Sequence, residues 1–232
     1  MKKILCIIPA RSGSQGFKDK NIKKINGKTL IEIAVRVAQK SNLFEDIVVS
    51  TDSLQYLNNI KKYLPNSKYL RPKKLARNNT TDLEVIQYEM KRYSKIFDKF
   101  YDYVCILQPT CPLRNHHHLI QCFKKIVKYN FEALWTITKI DKKFNSIKQL
   151  SLDKEYLNYH HPDGSSFTSR QNLVDTYIRN GAAYFYSFKT IYKYKKVLPK
   201  KSGYLIIKEL MVNIDTKDDF NMAKKYFKES LN

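Results

Sequence analysis

Acidic residues are scarce in this 232-residue chain: 21 aspartates and glutamates stand against 43 lysines and arginines, a formal charge of +22. Glycine is scarcer, with six residues, and there is a single tryptophan. No apolar run approaches the length of a membrane span, and the first one is too short and wrongly flanked for a signal peptide. These absences predict a cytoplasmic protein that engages no membrane. The four cysteines, Cys6, Cys105, Cys111 and Cys122, form no CxxC pair. Three sit in or beside apolar runs, which predicts buried free thiols rather than disulfides or a zinc site. Two phosphate-binding signatures are missing as well. There is no GxGxxG, and no GxxxxGK followed by Ser or Thr, so neither a dinucleotide fingerprint nor a Walker-type loop is present.

A basic balance attracts nucleic acid, anionic membrane or small polyanions. Here the cations are spread along the whole chain, lysine dominates, and Asn, Ile and Tyr are also abundant. Solvated lysine faces account for most of the excess and an anionic substrate for a smaller share. No RNP-like or helix-turn-helix pattern groups the cations with stacking aromatics. No nucleic-acid partner is expected, although a basic nucleic-acid-binding module is the rival from another class.

What is present begins with the first 27 residues. Ile4-Leu5-Cys6-Ile7-Ile8 is continuous and apolar, as a strand buried on both faces would be. It runs into Arg11, a small-residue loop with Gly13 and Gly16, and the cluster Lys18-Asp19-Lys20-Asn21. Glycine lets a ligand approach the backbone, and a strand end with free amides and cations suits a polyphosphate. An ordinary strand-to-helix turn with solvated lysines would use the same residues.

Helices and strands alternate from there. Leu30, Ile31, Ile33, Ala34, Val37 and Ala38 recur at helical spacing. A second strand ends in Val49-Ser50-Thr51-Asp52, Ser53 caps a helix, and Tyr69-Leu70 reads as a short third strand. A helix carries Leu83, Val85, Ile86 and Met90. The strand Tyr103–Leu107 then leads into Gln108-Pro109-Thr110-Cys111-Pro112-Leu113-Arg114, where two prolines force an extended exit. The neighbouring His116, His117 and His118 do not share a helix face and are poor joint metal ligands. A helix over 116–128 and a strand over 132–138 follow. From 139 to about 180 the pattern weakens to β-hairpins. A strand through Asn180–Tyr186, a helix around Thr190, a strand near 204–207 and a helix over 217–229 close the chain. The alternation predicts one α/β domain over residues 1–232.

Several of these blocks occur together in a known order. They are Pro9-Ala10-Arg11-Ser12-Gly13-Ser14 with Asn26-Gly27-Lys28, Val49–Asp52, Leu70-Arg71-Pro72 with Leu75-Ala76 and Asn79–Asp82, Leu107–Arg114, Phe167–Gln171, Asn180–Tyr184 and Met211–Phe220. Over essentially the whole chain they resemble the acylneuraminate cytidylyltransferases, the CMP-sialic acid synthetases and their bacterial nonulosonic-acid relatives. The resemblance implies a three-layer α/β/α, Rossmann-like sheet of the nucleotide-diphospho-sugar transferase type, mostly parallel, with residues 139–180 forming a dimerisation lobe of a homodimer. It implies that CTP and an N-acylneuraminate give CMP-N-acylneuraminate and diphosphate. Legionaminic acid, pseudaminic acid or the eight-carbon Kdo are the alternative sugar acids.

Residue roles follow from the resemblance. Arg11, Ser12, Gly13, Ser14, Gln15, Lys20, Asn21, Arg71, Thr80 and Asp82 would bind the nucleotide, with Arg11, Lys20 and Asp215 catalytic. Gln108, Lys148, Arg170, Gln171, Asn180 and Tyr184 would bind the sugar. Arg170 suits its carboxylate because a guanidinium grips a carboxylate with two parallel bonds. Asp215 and Asn213 would carry Mg2+, or Mn2+ in its place. Without the resemblance, Arg71 also reads as a loop arginine, Thr81 or Asp82 as a helix cap, and Asp215 or Thr216 as another. The chain departs from the pattern at Asn213, where the family has a first aspartate, at Gln15, usually lysine, and at Cys111, usually serine.

Overall fold

The computed structural model describes residues 2–227 except 14, 15, 66, 68, 167, 168, 170 and 172. In chain order the elements are β1 (Ile4–Pro9), a small ribbon of β2 (Lys24–Ile25) and β3 (Lys28–Thr29), α1 (Leu30–Ser41), β4 (Asp46–Ser50), α2 (Leu54–Ile60), α3 (Asp82–Phe97) and β5 (Tyr103–Ile106). Then come α4 (His116–Lys128), β6 (Ala133–Lys139), a second ribbon of β7 (Leu150–Asp153) and β8 (Tyr156–Tyr159), β9 (Tyr177–Ser187), β10 (Ser202–Ile206) and α5 (Lys217–Tyr226).

Six strands make one sheet in the order β10-β6-β9-β5-β1-β4. β1 is parallel to β4 and β5, and β6 to β10, while β9 runs antiparallel to both its neighbours. β1 is the spine, with every side chain from Ile4 to Ile8 fully buried. Successive strand residues face opposite sides. Ile4, Cys6 and Ile8 therefore pack with Ile31 of α1, Tyr56 of α2 and Leu119 of α4. Leu5 and Ile7 pack with Ile86, Met90 and Tyr93 of α3 on the other side. Two helical layers over one sheet are the three-layer α/β/α arrangement that the resemblance implies, and the alternation of helices and strands agrees with it.

The helix starts are encoded locally. Thr29 with Glu32, Thr81 with Glu84, Asn115 with His118, and Thr216 with Asp219 each form a reciprocal capping box, at the heads of α1, α3, α4 and α5. Such a cap contributes about 1 kcal/mol. In the third, the His118 imidazole replaces the usual carboxylate: its Nδ1 accepts from the Asn115 backbone N–H at 3.2 Å.

Three expectations change. Tyr69-Leu70 is not a strand, and β4 stays the sheet edge; the Arg71 N–H reaches it by one bond to the Thr51 carbonyl, at 2.7 Å. The helix around Thr190 is a single π-helical turn, Thr190–Tyr194, stopped by left-handed Lys195. The last helix stops at Tyr226, short of 229, with Phe227 extended behind it. Between 139 and 180 one hairpin, β7–β8, stands among short 3-10 turns. All four cysteines are free and buried. Among the described residues no helix is long and apolar enough to cross a membrane.

One buried polar network ties the sheet to α3. Ser50 Oγ donates to Glu89 Oε1 at 2.6 Å, and Arg92 donates to Glu89 Oε2. Glu89 is fully buried, and that burial raises its carboxyl above the ordinary range against the pull of Arg92. Removing one member of such a pair strands the other charge in a dry environment. Glu89→Ala is expected to cost about 3–5 kcal/mol, read as a lower urea midpoint at unchanged m-value.

Candidate active site

β1, β4 and β5 point the same way, so their carboxyl ends open on one edge of the sheet. There the Ala10 N–H donates to the Ser50 carbonyl at 2.9 Å, holding the exits of β1 and β4 together. Beyond it, Asp52 takes both polar groups of Ser12: the backbone N–H on Oδ1 and the hydroxyl on Oδ2, each at 2.8 Å. Gly13 is left-handed at φ 72° with open space where a Cβ would stand. A Cβ on Gly16 would come within 3.1 Å of the Asp215 carbonyl, so the loop presses on the turn before α5.

A cleft of about 410 Å³ lies at this edge. Arg11, Lys20, Arg71 and Arg77 supply its cations, and Asp82 and Asp215 its carboxylates. Asn21, Thr80, Gln108, Thr110 and Asn213 add polar groups, and Pro9, Leu75, Val85 and Pro109 apolar wall. A larger recess, about 730 Å³, lies at the opposite edge among Phe100, Phe131 and Phe188, away from the strand exits.

Each cation is held differently. Lys20 Nζ donates to the Ile214 carbonyl at 3.0 Å and to Asp215 Oδ1 at 2.7 Å. Arg11 donates to Asn78 Oδ1 at 2.6 Å. Arg71 is buried, and its Nε has no partner among the described residues. Burial lowers its pKa, while the charges of Glu89 and Asp52 oppose that shift. The Arg77 side chain has no hydrogen bond or ion pair among the described residues and is exposed.

Of the residues singled out in the sequence, the structure brings Arg11, Lys20, Asn21, Arg71, Thr80, Asp82, Gln108, Asn213 and Asp215 to this cleft. Ser12 and Gly13 sit behind it, and the Ser12 amide is already taken by Asp52. Asn180 and Tyr184 are buried behind Gln108 rather than exposed in the cleft. Asn180 bonds Thr138 and the Ala182 N–H, and the Tyr184 hydroxyl accepts from the Gly181 N–H at 2.8 Å. Gly181, at φ 77°, leaves no room for a Cβ, which would come within 2.8 Å of Gln108 Oε1. Lys148 and Gln171 lie on the 139–180 segment and do not line the cleft. Ser14, Gln15 and Arg170 lie outside the described residues. Sequence reasoning missed Arg77, which falls between two of the quoted blocks, and Thr110, which falls inside one. It also gave Asp52 no role. The buried Arg114 belongs behind the floor, where it donates to the Gln108 carbonyl.

Asp215 is the candidate metal ligand. Its side chain is 69% exposed, and the neighbouring Asn213 Oδ1 accepts from Thr110 Oγ1 at 2.6 Å. No group of three or more His, Cys, Asp or Glu side chains is poised for a metal among the described residues. One carboxylate and one amide oxygen beside a phosphate-sized cleft still suit a hard cation that takes its other ligands from substrate phosphates and water.

Fold and cleft together define a nucleotide-handling α/β enzyme with a cationic site at the strand exits. Residues 5–229 match the cytidylyltransferase family. The chain belongs to that family and is a nucleotidyltransferase enzyme. It is 31% identical over 225 residues to the N-acylneuraminate cytidylyltransferase of Escherichia coli O18:K1:H7, covering 95% of this chain and 51% of that one. It is 29% identical over 228 residues to the pseudaminic acid cytidylyltransferase of Campylobacter jejuni serotype O:2, covering 97% of each. The chain thus spans about half the length of the first relative and nearly all of the second. Among solved structures, CMP:2-keto-3-deoxy-manno-octonic acid synthetase in complex with CTP superposes with a TM-score of 0.70 at 12% identity, covering 97% of this chain and 98% of that one. That likeness concerns the fold. Cytidylyltransferases of this kind generally use a divalent metal.

Asp52 tethers the first loop at Ser12. Burial pushes its carboxyl up, but the two Ser12 bonds outweigh burial and hold it below the ordinary range. A group depressed in the folded state stabilises above its unfolded pKa, and that contribution is lost as pH falls through the folded one. The tether is therefore intact at neutral pH and fails only below about pH 4. Asp52→Ala is expected to speed hydrogen exchange at the Ser12 amide about tenfold or more, with β1 protection unchanged.

Proposed function

We propose that the chain activates a nonulosonic acid: CTP and N-acylneuraminate give CMP-N-acylneuraminate and diphosphate. The observation that carries this reading is the convergence of Arg11, Lys20, Arg71, Gln108 and Asp215 on one cleft at the strand exits. The sugar's anomeric hydroxyl oxygen forms the new bond to the α-phosphorus. The bond from that phosphorus to the bridging oxygen breaks, its electron pair leaves with diphosphate, and the hydroxyl proton passes to water.

Positioning and charge stabilisation dominate transfers of this kind. Arg11 and Lys20 neutralise the triphosphate and the leaving diphosphate, each charge-assisted bond contributing roughly 1.5–3 kcal/mol. Asn21 meets the ribose. Arg71 donates to cytosine O2 and N3, with Thr80 and Asp82 beside the exocyclic amine. Uracil carries a hydrogen on N3 and would face that guanidinium donor to donor, which is a physical basis for choosing CTP over UTP. Gln108 orients the sugar, backed by Asn180 and Tyr184. Lys148, Arg170 and Gln171 would meet the sugar only from the 139–180 lobe of a paired copy, since Lys148 and Gln171 stand off the cleft of their own chain. Asp215 and the Asn213 amide oxygen would hold Mg2+, or Mn2+ in its place. When bound it offsets phosphate charge and lowers the barrier to pyrophosphate departure.

The 139–180 lobe is proposed to pair two copies of the chain. Leu150, Leu152, Leu157 and Tyr159 are exposed and fall on one face of its ribbon, an apolar face that a monomer would leave in water. Pseudaminic acid is the second reading for the sugar, favoured by end-to-end coverage of the Campylobacter relative named for it.

Diphosphate release measured with CTP, Mg2+ and a panel of N-acetylneuraminic, legionaminic and pseudaminic acids and Kdo is expected to be positive for one of them. Silence with all four, with Mn2+ also tried, sinks the reading. Asp215→Ala is expected to lower kcat by at least about a hundredfold, in the range of removing one electrostatic stabiliser. In sedimentation velocity the protein is expected to run as a dimer and Leu152→Glu as a monomer.

A further inference from the structure

Four cations line the cleft, and two of them already have bonded partners. Lys20 is bonded to Asp215 and the Ile214 carbonyl, and Arg11 to Asn78. Arg71 is buried, with the charges of Glu89 and Asp52 acting on it. Arg77 is both exposed and unbonded: its guanidinium has neither an ion pair nor a hydrogen bond among the described residues, and unlike Arg71 it meets the cleft from the surface.

Its backbone is not loose. The segment that carries it starts at the Arg71 N–H, bonded to the Thr51 carbonyl, and passes through turns closed by Leu75 N–H to Pro72 and Ala76 N–H to Lys73. The Thr80 N–H then donates to the Arg77 carbonyl at 3.2 Å, and the capping box at Thr81 fixes the far end. The next residue, Asn78, is the one that Arg11 holds. Arg77 therefore lines the cleft one residue before the side chain that Arg11 holds. The loop itself, Ser12-Gly13-Ser14-Gln15-Gly16-Phe17, contains no cation.

A nucleoside triphosphate brings about four negative charges, and the cleft already holds two carboxylates that spend part of its positive charge. We infer that Arg77 binds the β- and γ-phosphates of the incoming triphosphate, the portion that leaves as diphosphate. This rests on the proposed reading of the cleft as a CTP site. A planar guanidinium free to rotate on an exposed stem grips phosphate oxygens with two parallel bonds. Exposure in the free protein is what the role requires, because a cation already paired would have to be released first.

Calorimetric titration of CTP and CMP into wild type, Arg77→Ala and Arg77→Lys, at about 50 and 200 mM salt, tests the assignment. Arg77→Ala is expected to weaken CTP about tenfold and CMP less than about twofold, and to reduce the salt dependence of CTP binding. Arg77→Lys is expected to recover part of the affinity, since the point charge returns without the fork. The position is exposed, so the variants are expected to keep the wild-type melting temperature. Equal weakening of CTP and CMP, or unchanged CTP affinity, overturns the role of Arg77 while leaving the CTP site standing. A wild-type protein that binds no CTP overturns the site and this inference together.

Discussion

Three parallel strands that end level with one another set everything else in this molecule. In the register of the sheet, Pro9 lies opposite Ser50, and Ile7 opposite Ile106. The chain therefore emits Arg11, Asp52 and Gln108 from one edge within a few residues of each strand end. The last strand-to-helix turn brings Asp215 to the same edge. Crossover helices are what make such a stack possible, because parallel neighbours cannot be joined by a tight turn. The inward side chains of β1 have no freedom left; the polar groups just past its end have all of it.

Charge at that edge is balanced by weak pairs rather than strong ones. Lys20 reaches across nearly two hundred residues to Asp215, but the carboxylate is 69% exposed. A pair so open to water is worth under about 1 kcal/mol and is readily exchanged for another partner. Glu89 and Arg92 are the contrast. They are buried, mutually dependent and not exchangeable, and they brace β4 against α3 from below the cleft. Structure is held by the pair water cannot reach, and the candidate chemistry by the pair it can.

The fold was legible in the sequence where burial decides it. The run Ile4–Ile8 reads as a two-sided strand because it is one, and Thr29, Thr81 and Thr216 announce helix starts through side chains only three residues apart. Tyr69-Leu70 misled because a short apolar pair carries strand propensity without a neighbouring strand to satisfy it. The cleft was legible in part. Arg11, Lys20, Arg71 and Asp215 stand in blocks whose order identifies them. Arg77 carries no pattern of its own, and its meaning comes from turns that bring it to the cleft one residue before the side chain that Arg11 holds. Asn180 and Tyr184 show the reverse: their polar atoms close onto Thr138, Ala182 and Gly181, which no spacing rule reveals.

The imidazole at the head of α4 gives the domain a threshold in mild acid. His118 accepts a proton-bearing amide with the same nitrogen that protonation would consume, and Glu209 is 3.8 Å from its other nitrogen. Burial keeps its pKa below the ordinary imidazole value, with Glu209 pulling the other way. Below about pH 6.5 the unfolded chain takes up this proton before the folded one does, so stability drains away as acidity rises. The carboxylates of the Thr81–Glu84 and Thr216–Asp219 boxes are held below the ordinary range and have no such weakness there. Acidification would therefore fray first the helix that follows Arg114, directly beneath the floor on which Gln108 rests.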